Sequence, residues 1–542
     1  MIAHPRPMFR RERWLSLDGE WEFGAGEAER FDRRIIVPFC PQSELSGLHD
    51  LDPGDVVWYR RTFNAPPAER LILHFGAVDY RATVWVNGEE VTRHEGGHTP
   101  FWVDITHVIR PHDNRLVVRA EDPLADKTIP RGKQHWTTKP EGIFYTATTG
   151  IWQTVWLEPL PARSIHSLHV IPDLDDGAIA FELEADGRVE MLATFDGEVV
   201  GRWSGETGSG RMPLDEVRPW SPDSPNLYRL RLRLDDVDQV DSYFGLRKVE
   251  ARDGKFWLNN EPYIQRLILD QGYFPGGLLT AASDDELRRD IELARSMGFN
   301  GARKHQKVED PRWLYWADSL GFLVWGEMAN FHECSLEAES RLEAEWREAV
   351  LRDRDHPSIV AWTPMNESFG LHGVDPDRRA ALLMRLYRLT HELDGTRPVS
   401  SNDGWQHAMT DLCTLHDYAE AHVLSERYGS IESTLDPKVR PEPPYLPGYE
   451  YRSEPILLSE FGGVKLAGSQ GFGYTQATSA ADLLRTYGEM VDAIMQRGPV
   501  EGFCYTQLTD VEQEQNGLLT FDRRPKVDPE LLRRLTETPK RR

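Results

Sequence analysis

Beyond Gly254 the chain alternates short apolar runs with amphipathic helical segments, a pattern that fits helices packed on a mainly parallel sheet. Eight apolar runs fall at 265–269, 301–303 and 322–325, around Trp362, and at 398–401, 412–415, 456–458 and 502–505. Between them, Ser283-Asp-Asp-Glu286 reads as a capping box opening a helix through Met297, and further helices are predicted over 342–354, 377–393 and 480–496. Eight strands are what a closed (β/α)8 barrel requires. The segment 418–451 is long for a barrel loop and is expected to wall a pocket or form a structural rim.

The preceding half reads as β. Trp58-Tyr-Arg-Arg-Thr-Phe63, Leu71-Ile-Leu-His-Phe75 and Ala82-Thr-Val-Trp-Val86 are β-branched and aromatic, and Asn87-Gly88 after the last is a strong hairpin signal. A first sandwich is expected over 1–158. A second series of shorter strands, over 159–248, includes the strictly alternating Leu227-Tyr-Arg-Leu-Arg-Leu-Arg-Leu234, which implies one solvated face. It has no Cys-Trp-Cys signature, so it is immunoglobulin-like in shape only. The barrel takes 249–542.

At 542 residues, with 39% hydrophobic and 10% aromatic residues, the chain can fill several cores. A net charge of −25 argues against a sequence-independent grip on nucleic acid and disfavours anionic membranes and polyanionic substrates. Neutral ligands fit best. The four cysteines, at 40, 334, 413 and 504, show no CxxC spacing, so neither a disulfide scaffold nor a zinc site is indicated. The N-terminus lacks an apolar signal core and no run approaches the roughly 18 apolar residues of a membrane span, so the expected location is cytoplasmic. Partners reduce to a carbohydrate, with no nucleic acid, no membrane and no cofactor; a homo-oligomer is compatible.

Two carboxylates stand at the ends of apolar runs: Glu367 in Ile359-Val-Ala-Trp-Thr-Pro-Met-Asn366-Glu367 and Glu460 in Pro455-Ile-Leu-Leu-Ser459-Glu460. On a barrel that end is the active face, so both side chains are expected in one bowl. Two facing carboxyl groups about 5–5.5 Å apart can cleave a glycosidic bond with retention, one protonating the leaving oxygen and the other attacking the anomeric carbon. Glu367 is the expected acid, its proton favoured by an apolar lining of Trp362, Met365 and Phe369; Glu460 is the expected nucleophile, with Arg303 or Lys304 favouring its charge. Asn366 offers an amide to a sugar hydroxyl. Either dipeptide alone is also an ordinary helix start; the pairing in phase with strand ends distinguishes them.

Other strand-end residues are candidate substrate ligands: Asp270, Arg303, His305, Asp417 and Tyr418 beside His416, and Tyr505 with Gln507. A helix cap or a core position is an equal alternative for each. Trp325, Trp405 and Tyr474 could stack on a pyranose or pack a core. Gly468-Ser-Gln-Gly-Phe-Gly473 is not a phosphate loop, because no Lys-Ser/Thr follows it.

These residues and several upstream motifs resemble glycoside hydrolase family 2, the β-galactosidases, β-glucuronidases and β-mannosidases. The motifs are Leu17-Asp-Gly-Glu-Trp-Glu-Phe23, Phe75-Gly-Ala-Val-Asp79, Val84-Trp-Val-Asn-Gly88, Gly96-Gly-His-Thr-Pro-Phe101, Gly150-Ile-Trp-Gln-Thr-Val-Trp156 and Phe244-Gly-Leu-Arg247. The resemblance implies a jelly-roll sandwich, an immunoglobulin-like sandwich and a TIM barrel in that order, an exo-acting retaining mechanism, and Glu367 and Glu460 as acid/base and nucleophile. β-Glucuronidases of the family read the sugar carboxylate with Asn-x-Lys before Gly-Ile/Leu-x-Thr; here Glu514-Gln-Asn516 precedes Gly517-Leu-Leu-Thr520, and Glu514 is expected to repel a uronate. The magnesium-binding Glu-x-His pair of the large β-galactosidases is absent from Gly326-Glu327-Met-Ala329, so no metal carries over. The expectation is therefore a β-galactosidase-like enzyme on terminal neutral sugars. Open alternatives are a galactofuranoside, arabinoside, mannoside or glucuronide as substrate, transglycosylation, and a non-catalytic carbohydrate-binding protein. A metalloenzyme is disfavoured because Phe331-His-Glu-Cys334 lacks HExxH spacing.

Overall fold

The computed structural model describes residues 4–495 and 498–538. The outer ends of the expected first and third units, and Gln496 at the end of the expected helix 480–496, lie outside the described residues.

The first sandwich sets a six-stranded antiparallel sheet against a four-stranded one. Its hairpin forms where Asn87-Gly88 predicts it: Val86 pairs with Glu89, and Asn87 and Gly88 take φ of 54° and 90°, as a type I′ turn requires. Ala82, Val84 and Val86 point inward, joining Trp21, Tyr59, Leu73, Val118 and Leu157 in one core. The final strand, Val155–Leu160, runs past the limit expected at 158; we keep 1–158, 159–248 and 249–542 as proposed units. The second sandwich has sheets of three and four strands, and Tyr228–Leu234 alternates buried and exposed residues along its whole length.

In the barrel, seven parallel strands run in the order Ile359–Thr363, Leu323–Glu327, Gly301–Lys304, Gln265–Asp270, Val500–Thr506, Ile456–Gly462, Cys413–Asp417. The eighth expected strand, 398–401, is irregular: this segment meets the first strand of that order through parallel bridges, Trp362 to Val399 and Asn366 to Asp403, and the last through bonds from Asp411 and His416 N–H to the carbonyls of Val399 and Gly404. Pro398 has no N–H to give, and Ser400, Asn402 and Asp403 bond locally through their side chains, which competes with a regular ladder. Helices Asp284–Ser296, Leu336–Asp353, Pro376–Leu393 and Ala480–Met495 match expected ones, and Pro311–Leu320 is an additional helix. Ser283 caps Glu286 N–H as the motif predicts, but Glu286 reaches back to Ala282 N–H rather than to Ser283. Among the described residues no helix is long and apolar enough to cross a membrane.

Both sandwiches dock on the barrel. Glu345 and Glu348 of Leu336–Asp353 accept from His98 N–H and the Thr99 hydroxyl of the first, and Arg247 from the second donates to the carbonyls of Pro357 and Ile359. The segment 418–451 contains helices Ala421–Arg427 and Ile431–Leu435, and folds over 406–407, whose N–H groups donate to the carbonyls of Pro443 and Pro444.

Candidate active site

Glu460 sits inside the strand Ile456–Gly462, where the ladder to Val500–Thr506 slips between Leu458 and Phe461. A register shift of this kind re-aims one side chain, here the carboxylate of Glu460. Glu367 stands four residues past the end of its strand; it and Ser368 hold φ of 50° and 52°, a conformation uncommon outside glycine, fixed by a bond from Glu367 N–H to the Asp403 carbonyl. A carboxylate oxygen of each, with a ring nitrogen of His416, lie within 4.8 Å of one another.

Arg303 lies beneath this group and is fully buried. Its Nε donates to Glu327 (2.6 Å), Nη2 donates to Asn366 Oδ1 (2.6 Å), and Nη1 stands 2.5 Å from Asp403 and 3.0 Å from Glu460 Oε1. The contact with Glu460 lacks hydrogen-bond alignment, so that oxygen is paired by charge but receives no hydrogen bond. The other oxygen of Glu460 accepts from the Tyr418 hydroxyl, whose ring stacks on Tyr474 at 3.6 Å. Burial, then the charge of Glu460, raises the Tyr418 phenol well above its ordinary range, so it stays a donor.

His416 joins the two carboxylates: Nδ1 is 2.6 Å from Glu367 and Nε2 2.7 Å from Asp403. Burial alone would lower its pKa; the charge of Glu460 and the hydrogen bonds to Asp403 and Glu367 outweigh this and raise it to about 10. Among the described residues, Glu367, His416 and Glu460 also form a group whose ligand atoms could hold a metal ion. An imidazolium has no lone pair to offer, however, and both nitrogens of His416 already face carboxylates. His305 behaves oppositely: burial, then Arg303, lowers its pKa well below 6.5. Its Nδ1 lies 2.9 Å from Arg303 Nη2 and 2.9 Å from Glu327 Oε1.

The structure divides the expected ligands. Asn366 and Tyr418 join the carboxylate pair, and with Asn366 Oδ1 turned to Arg303 its amide NH2 is left as a donor; His305 lies below, against Arg303 and Glu327. Arg303 positions these groups from below rather than facing a ligand. Asp270 instead pairs with Lys304 (2.7 Å), which also binds Glu309, so Lys304 does not serve Glu460. Asp417 is bound by Arg427 and Tyr428 and anchors the segment that follows it. Tyr505 is core, its ring edge-on to Phe461 and Tyr487. Gln507, Asn516 and Glu514 form a relay from Gln271 that ends at Tyr145, whose hydroxyl donates to Glu514 (2.6 Å). Trp362 and Met365 belong to the barrel core rather than lining Glu367, and Trp325 is likewise buried. Phe369 faces Phe144 and His332, Trp405 lies edge-on to His416, and Tyr474 is 39% exposed at the rim.

Sequence reasoning missed Glu327, Asp403 and Tyr145. Asp403 follows the irregular strand-end segment, a signal comparable to that of Glu367; Tyr145 comes from the first sandwich, where no local signal points to the barrel.

Residues 249–538 match the family model for the TIM barrel domain of glycosyl hydrolases family 2. Residues 51–148 match that for the glycosyl hydrolase 2 galactose-binding domain-like fold, and 164–247 that for glycosyl hydrolases family 2. A β-galactosidase of Thermoanaerobacter pseudethanolicus is 28% identical over 63% of this chain, and the match spans about half of that relative, 48%. A β-glucuronidase of Paenibacillus borealis is 24% identical over 98% of both chains. Among solved structures, a β-glucuronidase from Ruminococcus gnavus in complex with D-glucuronic acid has a TM-score of 0.82 at 21% identity, covering 97% of this chain and 98% of that one. At that identity the likeness concerns the fold.

Proposed function

Because the chain belongs to glycosyl hydrolase family 2, we propose that this glycosidase is exo-acting and retaining, with Glu367 as acid/base, Glu460 as nucleophile and a β-linked uronide as substrate. The observation that carries the mechanism is the approach of the two carboxylates: an oxygen of each lies within 4.8 Å of the other, near the roughly 5–5.5 Å of retaining enzymes and too close for the water an inverting enzyme places between them at about 6.5–9.5 Å.

In the first step Glu460 attacks the anomeric carbon while Glu367 gives its proton to the leaving oxygen; in the second, Glu367 takes a proton from water, which displaces Glu460. The Tyr418 hydroxyl and the Arg303 guanidinium hold Glu460 in place, so little reorganisation accompanies the attack. The free amide NH2 of Asn366 supports binding of a sugar hydroxyl beside the reacting carbon.

For the sugar, the relatives favour a reading that differs from the β-galactosidase expected of the sequence. The relative matched over 98% of both chains is named a β-glucuronidase, whereas the β-galactosidase match spans about half of that protein. A neutral sugar is the second reading, favoured by Glu514 and Asn516 standing where Asn-x-Lys would serve a uronate.

Following hydrolysis of nitrophenyl β-glucuronide, β-galactoside and β-glucoside by proton NMR tests both points. The expected first product is the β-anomer of glucuronate; an α-anomer appearing first overturns the retaining assignment.

A further inference from the structure

Most buried cations near the barrel mouth have an anionic partner. Arg303 has Glu327 and Asp403, Lys304 has Asp270 and Glu309, Lys307 has Glu309, and Arg131 has Asp122. Lys133 differs. It is 94% buried, being 6% exposed, yet among the described residues its ammonium has neither a hydrogen-bond acceptor nor an ion-pair partner. What flanks it is aromatic: the rings of Phe144 and Tyr145, each 5.7 Å from Nζ. The stem of Lys133 is buried while its ammonium keeps access to solvent, so the residue presents an unpaired cation to an incoming ligand.

Its place is fixed by the backbone. Gly132 N–H donates to the Asn330 carbonyl (3.0 Å), and the Asn330 side chain accepts from the N–H of Asn366, the residue before Glu367. At φ of 61° Gly132 approaches so closely that a Cβ there would lie 2.3 Å from the Gln306 carbonyl oxygen. The Lys133 carbonyl accepts from Tyr145 N–H (2.7 Å), and the Tyr145 hydroxyl reaches Glu514. The loop of the first sandwich thus brings an ammonium beside Tyr145, and its charge is one of those felt by His305.

We propose that Lys133 reads a carboxylate on the substrate sugar, supplying from the first sandwich the cation that residue 516 does not supply in this chain. The proposal rests on the uronide reading above. The oxygens of Glu514 accept from Tyr145 and Asn516, so this carboxylate is not the partner of Lys133. A carboxylate beside Lys133 completes a charge-assisted hydrogen bond that the free protein lacks.

The test compares nitrophenyl β-glucuronide with nitrophenyl β-glucoside for the full chain, Lys133→Met and Lys133→Arg. Lys133→Met is expected to lower the glucuronide-to-glucoside ratio of kcat/KM by at least about 30-fold, mainly through KM, and Lys133→Arg to restore part of it. An unchanged ratio, or a wild-type preference for the glucoside, overturns the proposal while leaving the retaining mechanism intact. If wild type turns over neither, calorimetric titration with sodium D-glucuronate decides: binding weakened about tenfold or more in Lys133→Met, against unchanged D-glucose binding, supports the role, and equal glucuronate affinity overturns it. That inactivity itself would count against the proposed catalysis alone.

Discussion

Nδ1 of His416 lies 2.6 Å from Oε1 of Glu367. The opposite nitrogen faces Asp403, so one buried ring ties the candidate acid to the anionic network under the site, and Glu367 is oriented by a cation rather than by the apolar lining its neighbours in sequence suggest.

The charge on His416 makes stability depend on pH. Its pKa is near 10 in the folded chain against 6.5 ordinarily, so its contribution is fully present below about pH 6.5 and is lost as pH rises through 10. Urea midpoints of wild type should therefore fall between those values, and Glu367→Gln/His416→Gln should flatten the fall. A midpoint that drops equally in the double variant would place the titrating group elsewhere.

Glu367→Gln should lower kcat/KM about 10²–10⁴-fold on a methyl glycoside and much less on a nitrophenyl glycoside, whose leaving group needs little proton assistance. Glu460→Gln should leave only background activity on both. Equal losses on the two leaving groups in Glu367→Gln would remove it from the acid role.

Arg303→Lys keeps the charge but cannot serve Glu327, Asn366, Asp403 and Glu460 together. Leaving buried carboxylates without a partner is expected to cost about 3–5 kcal/mol of folding stability, read by denaturant unfolding. A loss below about 1 kcal/mol would mean that the network re-pairs.

Gly132→Ala meets both a positive φ and the Gln306 carbonyl. Displacing the loop should raise KM for the preferred glycoside while kcat changes little, and should cost about 1–3 kcal/mol of stability. An unaltered KM would uncouple this loop from the sugar site.

Sequence alone was enough to read the order of two sandwiches and a barrel and the meeting of Glu367 and Glu460 at one mouth, because hydrophobic period and strand-end position are local properties of the chain. It also carried the Asn87-Gly88 hairpin, a turn whose backbone angles two adjacent residues decide. It did not foresee that the segment after Pro398 would bridge the barrel without a regular strand, since Asn402 and Asp403 are also engaged by Ser368 N–H and His416, partners that only folding brings near. The allocation of partners belonged to tertiary structure. Asp270 and Asp417 carry the same carboxylate as Glu460, yet one is bound by Lys304 and the other by Arg427, and only folding brings those cations within reach. Tyr145 and Lys133 enter the barrel mouth from a sandwich more than 200 residues upstream of Glu367, as the 369-residue separation between Tyr145 and Glu514 illustrates. Pairing energy depends on distances across the fold, which no local window of the sequence contains.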